Sequence, residues 1–235
     1  MNTGKLFLIP VPLGQTPAEA VLPQPVRDCA RQLTHFVAEN AKSARAFIKQ
    51  LPADTPLQQI EIHELNEHTA ASALPELLTP LREGFDLGLI SEAGCPAVAD
   101  PGANLVALAH QEGIQVIPLI GPSSILLALM GSGLSGQNFA FHGYLPAKDD
   151  QRQKKIRELE KDSRQQKRTQ IFIETPYRNQ QMLGTLVNTC SSSTRICVAT
   201  DLTLPSENIQ TATPEQWRRR TVSIDRRPTV FLLQA

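Results

Sequence analysis

The stretch Asp86-Leu87-Gly88-Leu89-Ile90-Ser91-Glu92-Ala93-Gly94-Cys95-Pro96-Ala97-Val98-Ala99-Asp100-Pro101-Gly102 decides how the chain folds. Its opening is a short, mostly apolar run with the length and composition of a buried strand. The residues after Ile90 are mostly small, rich in Gly and Pro, and polar at Ser91, Glu92 and Asp100. They lead into a helical pattern at residues 105–112, closed by Gly113 at a C′ position. A strand running through such a loop into a helix is the half-unit of an α/β fold, and in open sheets of this kind ligands bind outside the carboxyl ends of the strands. Small residues let a ligand approach the backbone, and prolines stiffen the path. The same loop also reads as a plain strand-to-helix connection in which Asp100 is the turn residue.

The alternation repeats in both directions. Toward the amino terminus, residues 6–9 read as a buried strand ending in Pro10-Val11-Pro12-Leu13-Gly14. Helical patterns come after it at 26–33, 43–49 and 74–83, with extended segments at 35–39 and 60–62. Beyond the opening stretch, residues 115–120 return to strand and end at Gly121-Pro122-Ser123-Ser124, where a serine caps an apolar helix over 123–130. Residues 139–144 are extended, and 148–168 form a charged helix whose apolar positions are Ile156 and Leu159, hence mostly solvated. A buried strand at 169–174 opens into Thr175-Pro176-Tyr177-Arg178. A helix at 179–189 and strands at 195–199 and 227–233 complete the pattern. The fold class is α/β, with two α/β domains at residues 1–120 and 121–235 and the break at Gly121-Pro122. Four polar loops that all begin at strand carboxyl ends are a stronger signal than any one of them, because they can line one crevice.

Charge supports the division. The chain of 235 residues holds 23 Lys and Arg against 23 Asp and Glu, so its net charge is zero. Residues 1–141 carry 7 basic and 13 acidic residues, a net of −6; the remainder carries 16 and 10, a net of +6. With 41% apolar residues the chain buries real cores, and disorder over most of it is excluded. No apolar run approaches the roughly 20 residues needed to cross a bilayer, and the start at Met1 has no secretory pattern. Cys29, Cys95, Cys190 and Cys197 form no C-x-x-C pair, which reads as free cytosolic thiols rather than disulfides or zinc ligands.

Several tempting motifs fail on context. Gly131-Ser132-Gly133-Leu134-Ser135-Gly136 satisfies G-x-G-x-x-G but comes after a helix and leads into a strand, the reverse of the dinucleotide fingerprint. The loose pair His63 and His68 reads as solvated loop, and no metal site is expected. Residues 148–168 mix 9 basic with 5 acidic side chains, as a solvated helix face does. Arg218-Arg219-Arg220 and Arg226-Arg227 are denser and suit either phosphate contacts or surface solvation.

Taken in order, Pro10-Val11-Pro12-Leu13-Gly14, Ala38-Glu39, Ser91-Glu92-Ala93-Gly94-Cys95-Pro96 with Asp100-Pro101-Gly102, Gly121-Pro122-Ser123-Ser124, residues 139–146 and Glu174-Thr175-Pro176-Tyr177-Arg178 resemble the tetrapyrrole (corrin/porphyrin) methylase superfamily. Within it the likeness is greatest to the subgroup that 2′-O-methylates a cytidine ribose in small-subunit ribosomal RNA. The resemblance spans roughly residues 6–207. It implies two α/β domains with an S-adenosyl-L-methionine cleft between them, a cytoplasmic homodimer, and ribosomal RNA as partner. It further implies that Pro10, Val11 and Leu13 border the methyl donor, that Ser91, Ala93 and Gly94 contact its methionine part, and that Asp100 buttresses the loop. Ser123 and Ser124 are placed at the hinge, and Glu174, Thr175 and Pro176 face the cleft. A hydroxyl acceptor benefits from a base, for which Glu92 and Glu39 are the candidates. The chain departs from the subgroup at Glu39-Asn40-Ala41-Lys42, where Glu-Asp-Thr-Arg is usual, and at Thr200-Asp201-Leu202-Thr203-Leu204, where Arg-Glu-Leu-Thr-Lys is usual. Loss of those cations leaves two alternatives open: methylation of a tetrapyrrole or other small molecule, and a relative that binds RNA or cofactor without turnover.

Overall fold

The computed structural model describes residues 3–51 and 55–235; Met1 and Asn2, on which the expectation about a secretory start partly falls, and Pro52 to Asp54 lie outside the described residues. The chain divides into two compact units, Met1–Ser123 and Ser124–Ala235, each with its own sheet.

The first unit carries β1 (Leu6–Ile9), β2 (His35–Ala38), β3 (Glu61–Glu64), β4 (Leu87–Ile90) and β5 (Val116–Pro118). Between them run α1 (Ala18–Val21), α2 (Gln24–Gln32), α3 (Ala41–Ile48), α4 (Leu74–Leu77), α5 (Thr79–Arg82) and α6 (Gly102–Gln111). All five strands are parallel, in the order β3-β2-β4-β1-β5. Helices cover both faces, which is why the central strands read as continuous apolar runs rather than alternating ones. Along β2, Phe36 and Ala38 enter a core with Val26, Ala30, Phe47 and Ile48 from α2 and α3. Val37 points the other way, into a core with Leu81, Leu105 and Ala109 from α5 and α6. Gly88 is required by this packing: a Cβ there would sit 2.7 Å from the Phe36 ring and 2.9 Å from Ile9 Cδ1. The phenyl ring occupies the space that a side chain on the neighbouring strand would take.

The helix expected over residues 74–83 is two short helices. Pro75 and Pro80 each lie in a first turn, and Leu78 between them adopts φ −91° and ψ 0°. Pro80 has no N–H with which to continue the first helix, so a new one starts there.

The second unit carries β6 (Phe139–Tyr144), β7 (Thr169–Ile173), β8 (Arg195–Thr200), β9 (Asn208–Ala212) and β10 (Thr229–Gln234), with α7 (Ser124–Ser132), α8 (Asp149–Gln166), α9 (Asn179–Thr189) and α10 (Pro214–Arg218). The sheet order is β6-β7-β10-β8-β9; β6 and β7 are parallel, and the remaining pairs antiparallel. Helix α7 ends at Ser132, and Gly133 turns the chain at φ +66°, so the G-x-G-x-x-G match is a helix stop. Strand β9 and helix α10 have no counterpart among the elements expected from sequence. The segment Asn208-Ile209-Gln210-Thr211-Ala212 pairs with β8 alone, and an edge strand needs no apolar run. Helix α10 is one short turn fixed by a capping box between Thr213 and Gln216; it buries Trp217, whose Nε1 donates to the Ile196 carbonyl at 3.0 Å.

Helix α8 is less solvated than its charge suggests. It buries Arg152, Glu160 and Ser163 in addition to Ile156 and Leu159. The Arg152 side chain is 1% exposed; it donates to Ala147 O at 2.9 Å, to Asp149 Oδ1 at 2.5 Å and to Thr185 Oγ1 at 3.3 Å. Arg152→Ala removes a long buried stem and leaves Ala147 O without that donor, so we expect a loss of about 3 kcal/mol in urea unfolding. Asp149→Ala leaves the buried guanidinium without its carboxylate and is expected to cost about 1–3 kcal/mol as well. A double variant that loses little more than Arg152→Ala alone is the expected result; additive losses would show that the two side chains act independently.

Candidate functional site

The first sheet determines where a ligand can enter. From β1 the chain crosses to β2 by way of α1 and α2, on the face of the Phe36 core. From β4 it crosses to β5 by way of α6, on the opposite face. The loops after the neighbouring strands β1 and β4 therefore leave in opposite directions, and the crevice between them is the switch point of the sheet.

Both loops are tied down at their base. After Ile90 the chain doubles back, Gly94 takes φ +74°, and it forms an antiparallel bridge to Val11 through two backbone hydrogen bonds of 2.9 and 3.1 Å. Ser91 Oγ donates to the Gly94 carbonyl at 3.1 Å, inside the loop. A Cβ at Gly94 would lie 3.0 Å from Leu13 Cδ2 and 3.3 Å from the Pro122 carbonyl, so three segments converge on that glycine. Cys95 Sγ also points to the Pro122 carbonyl, at 3.4 Å, and burial pushes its thiol pKa up, as for a space-filling residue. Pro10 and Val11 are buried, Leu13 and Ser91 half-buried, and Ala93 exposed.

Farther along, the loop is strained. Ala97 and Ala99 are non-glycine residues at φ 63° and 55°, in a region that costs L-residues roughly 1–2 kcal/mol each. Asp100 holds them there: its Oδ1 accepts from the Ala97 N–H at 3.2 Å and the Gly102 N–H at 2.7 Å. Gly102 must lack a side chain, because a Cβ would lie 2.6 Å from that same oxygen. The result is a rim of small residues, exposed at Ala93 and Ala99. It is flanked by Val98 and by Ile120, which is 76% exposed at the end of the β5 segment.

Carboxylates gather at this end of the sheet. Glu39 comes directly after β2, which pairs with β4, so it stands beside the loop that carries Glu92 and Asp100. Burial, and then the charges of Asp100, Glu92 and Glu67, raises the Glu39 pKa above the ordinary glutamate value. Asp100 is raised by burial, against the two amides that favour its charged form. Ser43, in the first turn of α3, donates to Glu92. Asn40, where an aspartate is usual in the resembling subgroup, caps α3 by accepting from the Lys42 and Ser43 N–H groups at 2.8 and 3.2 Å. The cap survives the exchange of carboxylate for amide.

In the second unit Glu174, Thr175 and Pro176 come directly after β7. Glu174 is fully buried, and its Oε1 accepts from the Thr175 N–H at 2.7 Å and from Arg178 Nε and Nη2 at 3.0 and 2.6 Å. Ser123 closes the first unit and Ser124 begins α7 in the second. The structure thus groups Pro10, Val11, Leu13, Glu39, Ser91, Glu92, Ala93, Gly94 and Asp100 at one sheet end, and Glu174, Thr175 and Pro176 at the end of β7.

The dense basic runs are largely committed to structure. Arg218 donates to the Val187 carbonyl at 2.8 Å, Arg219 pairs with Glu215 at 2.5 Å, and Arg220 lies over the Trp217 ring at 5.2 Å. Arg227 is held by Asp201 at 2.8 Å and by the Ser206 carbonyl. Arg226 differs, with a side chain 85% exposed and only a 3.9 Å approach to Asp225. The four cysteines are free, and burial pushes Cys190 up to about 12 and Cys197 up to about 11. Among the described residues no helix is long and apolar enough to cross a membrane.

No model of a known protein family matches the chain. The ribosomal RNA small subunit methyltransferase I of Vibrio cholerae is 31% identical to it over 205 residues, covering 87% of this chain and 67% of that protein. The protein of the same name from Escherichia coli is 30% identical over 211 residues, covering 90% of this chain and 70% of that one. Among solved structures, the methyltransferase CobJ matches with a TM-score of 0.65 at 20% identity, over 99% of this chain and 94% of that chain. A uroporphyrin-III C-methyl transferase from Thermus thermophilus, complexed with S-adenyl homocysteine, matches with a TM-score of 0.60 at 16% identity, over 98% of this chain and 97% of that chain. At these identities the structural likeness is one of fold.

Proposed function

The chain belongs to the ribosomal RNA small subunit methyltransferase I family, and from that premise we propose that it transfers a methyl group from S-adenosylmethionine to a cytidine ribose 2′-hydroxyl in small-subunit ribosomal RNA. It is an S-adenosylmethionine-dependent methyltransferase. The observation that carries the reading is the loop at residues 91–102, whose small residues, fixed backbone and neighbouring carboxylates lie at the switch point of the first sheet.

The residues present fit the donor. A net positive ligand is favoured where Glu39, Glu92 and Asp100 concentrate negative charge. Ala93, Gly94 and Ser91 would hold its methionine part, Pro10, Val11 and Leu13 would border it, and Val98 and Ile120 offer apolar contact. When bound, S-adenosylmethionine supplies a methyl group on a positively charged sulfur, already activated for in-line displacement. The protein's own contribution is alignment and exclusion of water. Glu39 accepts the proton of the acceptor hydroxyl, because its raised pKa makes it a stronger base than a free glutamate. Glu92, oriented by Ser43, holds the field beside it. Thr175 and Pro176 belong to the acceptor surface of the second unit, where the buried Glu174 anchors Arg178, and Ser123 and Ser124 are the residues that join the two units. The same reading includes a homodimer in the cytoplasm, to be checked by sedimentation.

The test offers labelled S-adenosylmethionine with isolated small ribosomal subunits and, separately, with a tetrapyrrole substrate. We expect label in a cytidine 2′-O-methyl group of the RNA. Label entering the tetrapyrrole alone, or donor binding without transfer to either, would falsify the RNA assignment.

A further inference from the structure

At the carboxyl end of β6 and β7, two tyrosines stand out from the surface. Tyr144 is 61% exposed and Tyr177 is 66% exposed. Tyr144 lies opposite Ile173 across the parallel pair, one residue before Glu174, and Tyr177 comes in the turn after β7. Arg178 comes directly after Tyr177. Its guanidinium sits 5.4 Å from the Tyr177 ring centre while Nε and Nη2 bond to the fully buried Glu174. Both phenols lie within electrostatic reach of it: its pKa is raised first by Glu174, against desolvation, and then in lesser measure by Tyr177 and Tyr144.

This arrangement is anchored from below. Glu174 fixes Arg178, and Arg178 supports the Tyr177 ring, so a large apolar face is held in solvent at little further entropic cost. Exposed cations flank it. The Arg226 N–H donates to the Pro176 carbonyl at 3.0 Å, which brings that 85% exposed side chain next to the turn holding Tyr177. Arg226 itself sits at φ 58°, and its acidic neighbour Asp225 stays 3.9 Å away. Lys148, also exposed, lies four residues after Tyr144. Scattered exposed apolar residues need no explanation. Two aromatic faces about a pinned guanidinium, with exposed cations at the border, are the surface that single-stranded RNA uses: bases stack on the rings and phosphates meet the cations.

The geometry points to Tyr144 and Tyr177 as a stacking platform for unpaired bases of the acceptor RNA, with Arg226 contacting its phosphates. The inference rests on the RNA reading above and adds to it the surface that holds the strand.

The probe is a short, unstructured, fluorescein-labelled RNA rich in cytidine, titrated by anisotropy against the full chain. Tyr144→Ala and Tyr177→Ala each weaken binding by about 5- to 150-fold, the loss expected when one stacked base is released. Tyr144→Phe and Tyr177→Phe bind within about twofold, because the ring carries the contact. Arg226→Gln lowers the slope of log affinity against log salt, and the tyrosine variants leave that slope unchanged. Calorimetry with S-adenosylmethionine separates the failures. If the wild-type chain binds donor but neither binds the oligonucleotide nor methylates ribosomal RNA, the RNA reading and the platform both fall. If it methylates RNA and the alanine variants match it, the platform alone is overturned. The platform is likewise overturned if the alanine variants lose donor affinity in step with RNA affinity, or if they convert a dimer to a monomer in sedimentation.

Discussion

Glu39→Gln is expected to lower kcat for RNA methylation by about 10²- to 10⁴-fold, the range seen when a positioned proton acceptor is removed. The amide keeps the shape of the side chain and loses its basicity. Donor affinity falls by less than this, because the variant removes only one of the three charges that favour the positively charged donor and leaves the loop at residues 91–102 intact. The pH profile gives a second signature. Burial and three neighbouring carboxylates raise the folded-state pKa of Glu39, so the wild-type rate falls as pH drops through a range above that of a free glutamate. The glutamine variant lacks that limb. Linkage fixes the sign of a stability effect as well. A carboxyl whose folded pKa exceeds its unfolded value opposes folding when ionised; the penalty is fully present above the folded pKa and vanishes below the unfolded one. The variant should therefore melt above the wild type at neutral pH, and the gap should close in acid. Full kcat in the variant would remove Glu39 from the proton path and turn attention to Glu92.

Asp100→Ala is expected to weaken S-adenosylmethionine binding by about 100-fold, read by calorimetry. One carboxylate oxygen accepts from two backbone amides and so holds Ala97 and Ala99 at positive φ. Each unpaired amide costs about 1–3 kcal/mol, and each left-handed alanine adds roughly 1–2 kcal/mol of stored strain. Without the acceptor the loop relaxes toward ordinary backbone angles, and the rim that faces the ligand is lost. Asp100→Asn keeps an acceptor oxygen at the same place and should bind within about fivefold of wild type. If the asparagine variant were as weak as the alanine variant, the charge of Asp100, rather than its grip on the loop, would be the cause. The unfolding midpoint should move modestly in both, since the strain is local.

Much of this arrangement is legible in the chain because the signals are local. The run through Ile90, the small residues after it and the helix from Gly102 are contiguous, and strand, loop and helix appear in that order. The convergence of Glu39 with Glu92 and Asp100 is not legible. It depends on β4 lying between β1 and β2, a fact of sheet order that sequence order conceals. The basic runs stay open in sequence between phosphate contacts and solvation, and only the structure shows their partners. The Arg218, Arg219 and Arg220 side chains engage Val187, Glu215 and Trp217. The two tyrosines give no sequence signal because they are 33 residues apart and come to the same end of the sheet only through the parallel pairing of β6 with β7. Strand β9 is hidden because an edge strand shows no apolar run, whereas the break at Leu78 is marked in the sequence by Pro80, which cannot continue a helix.

The position of β10 bears on how the protein is made. The first sheet is complete once β5 has been synthesised, whereas β10, synthesised after the other four strands of its sheet, is the middle one, between β7 and β8. During translation the first unit can therefore close while the ribosome is still adding residues. The second must wait with β7 and β8 unjoined until Gln234 has left the exit tunnel. Those two strands, apolar and half-paired in the interval, are where a nascent chain of this protein is most exposed to wrong partners.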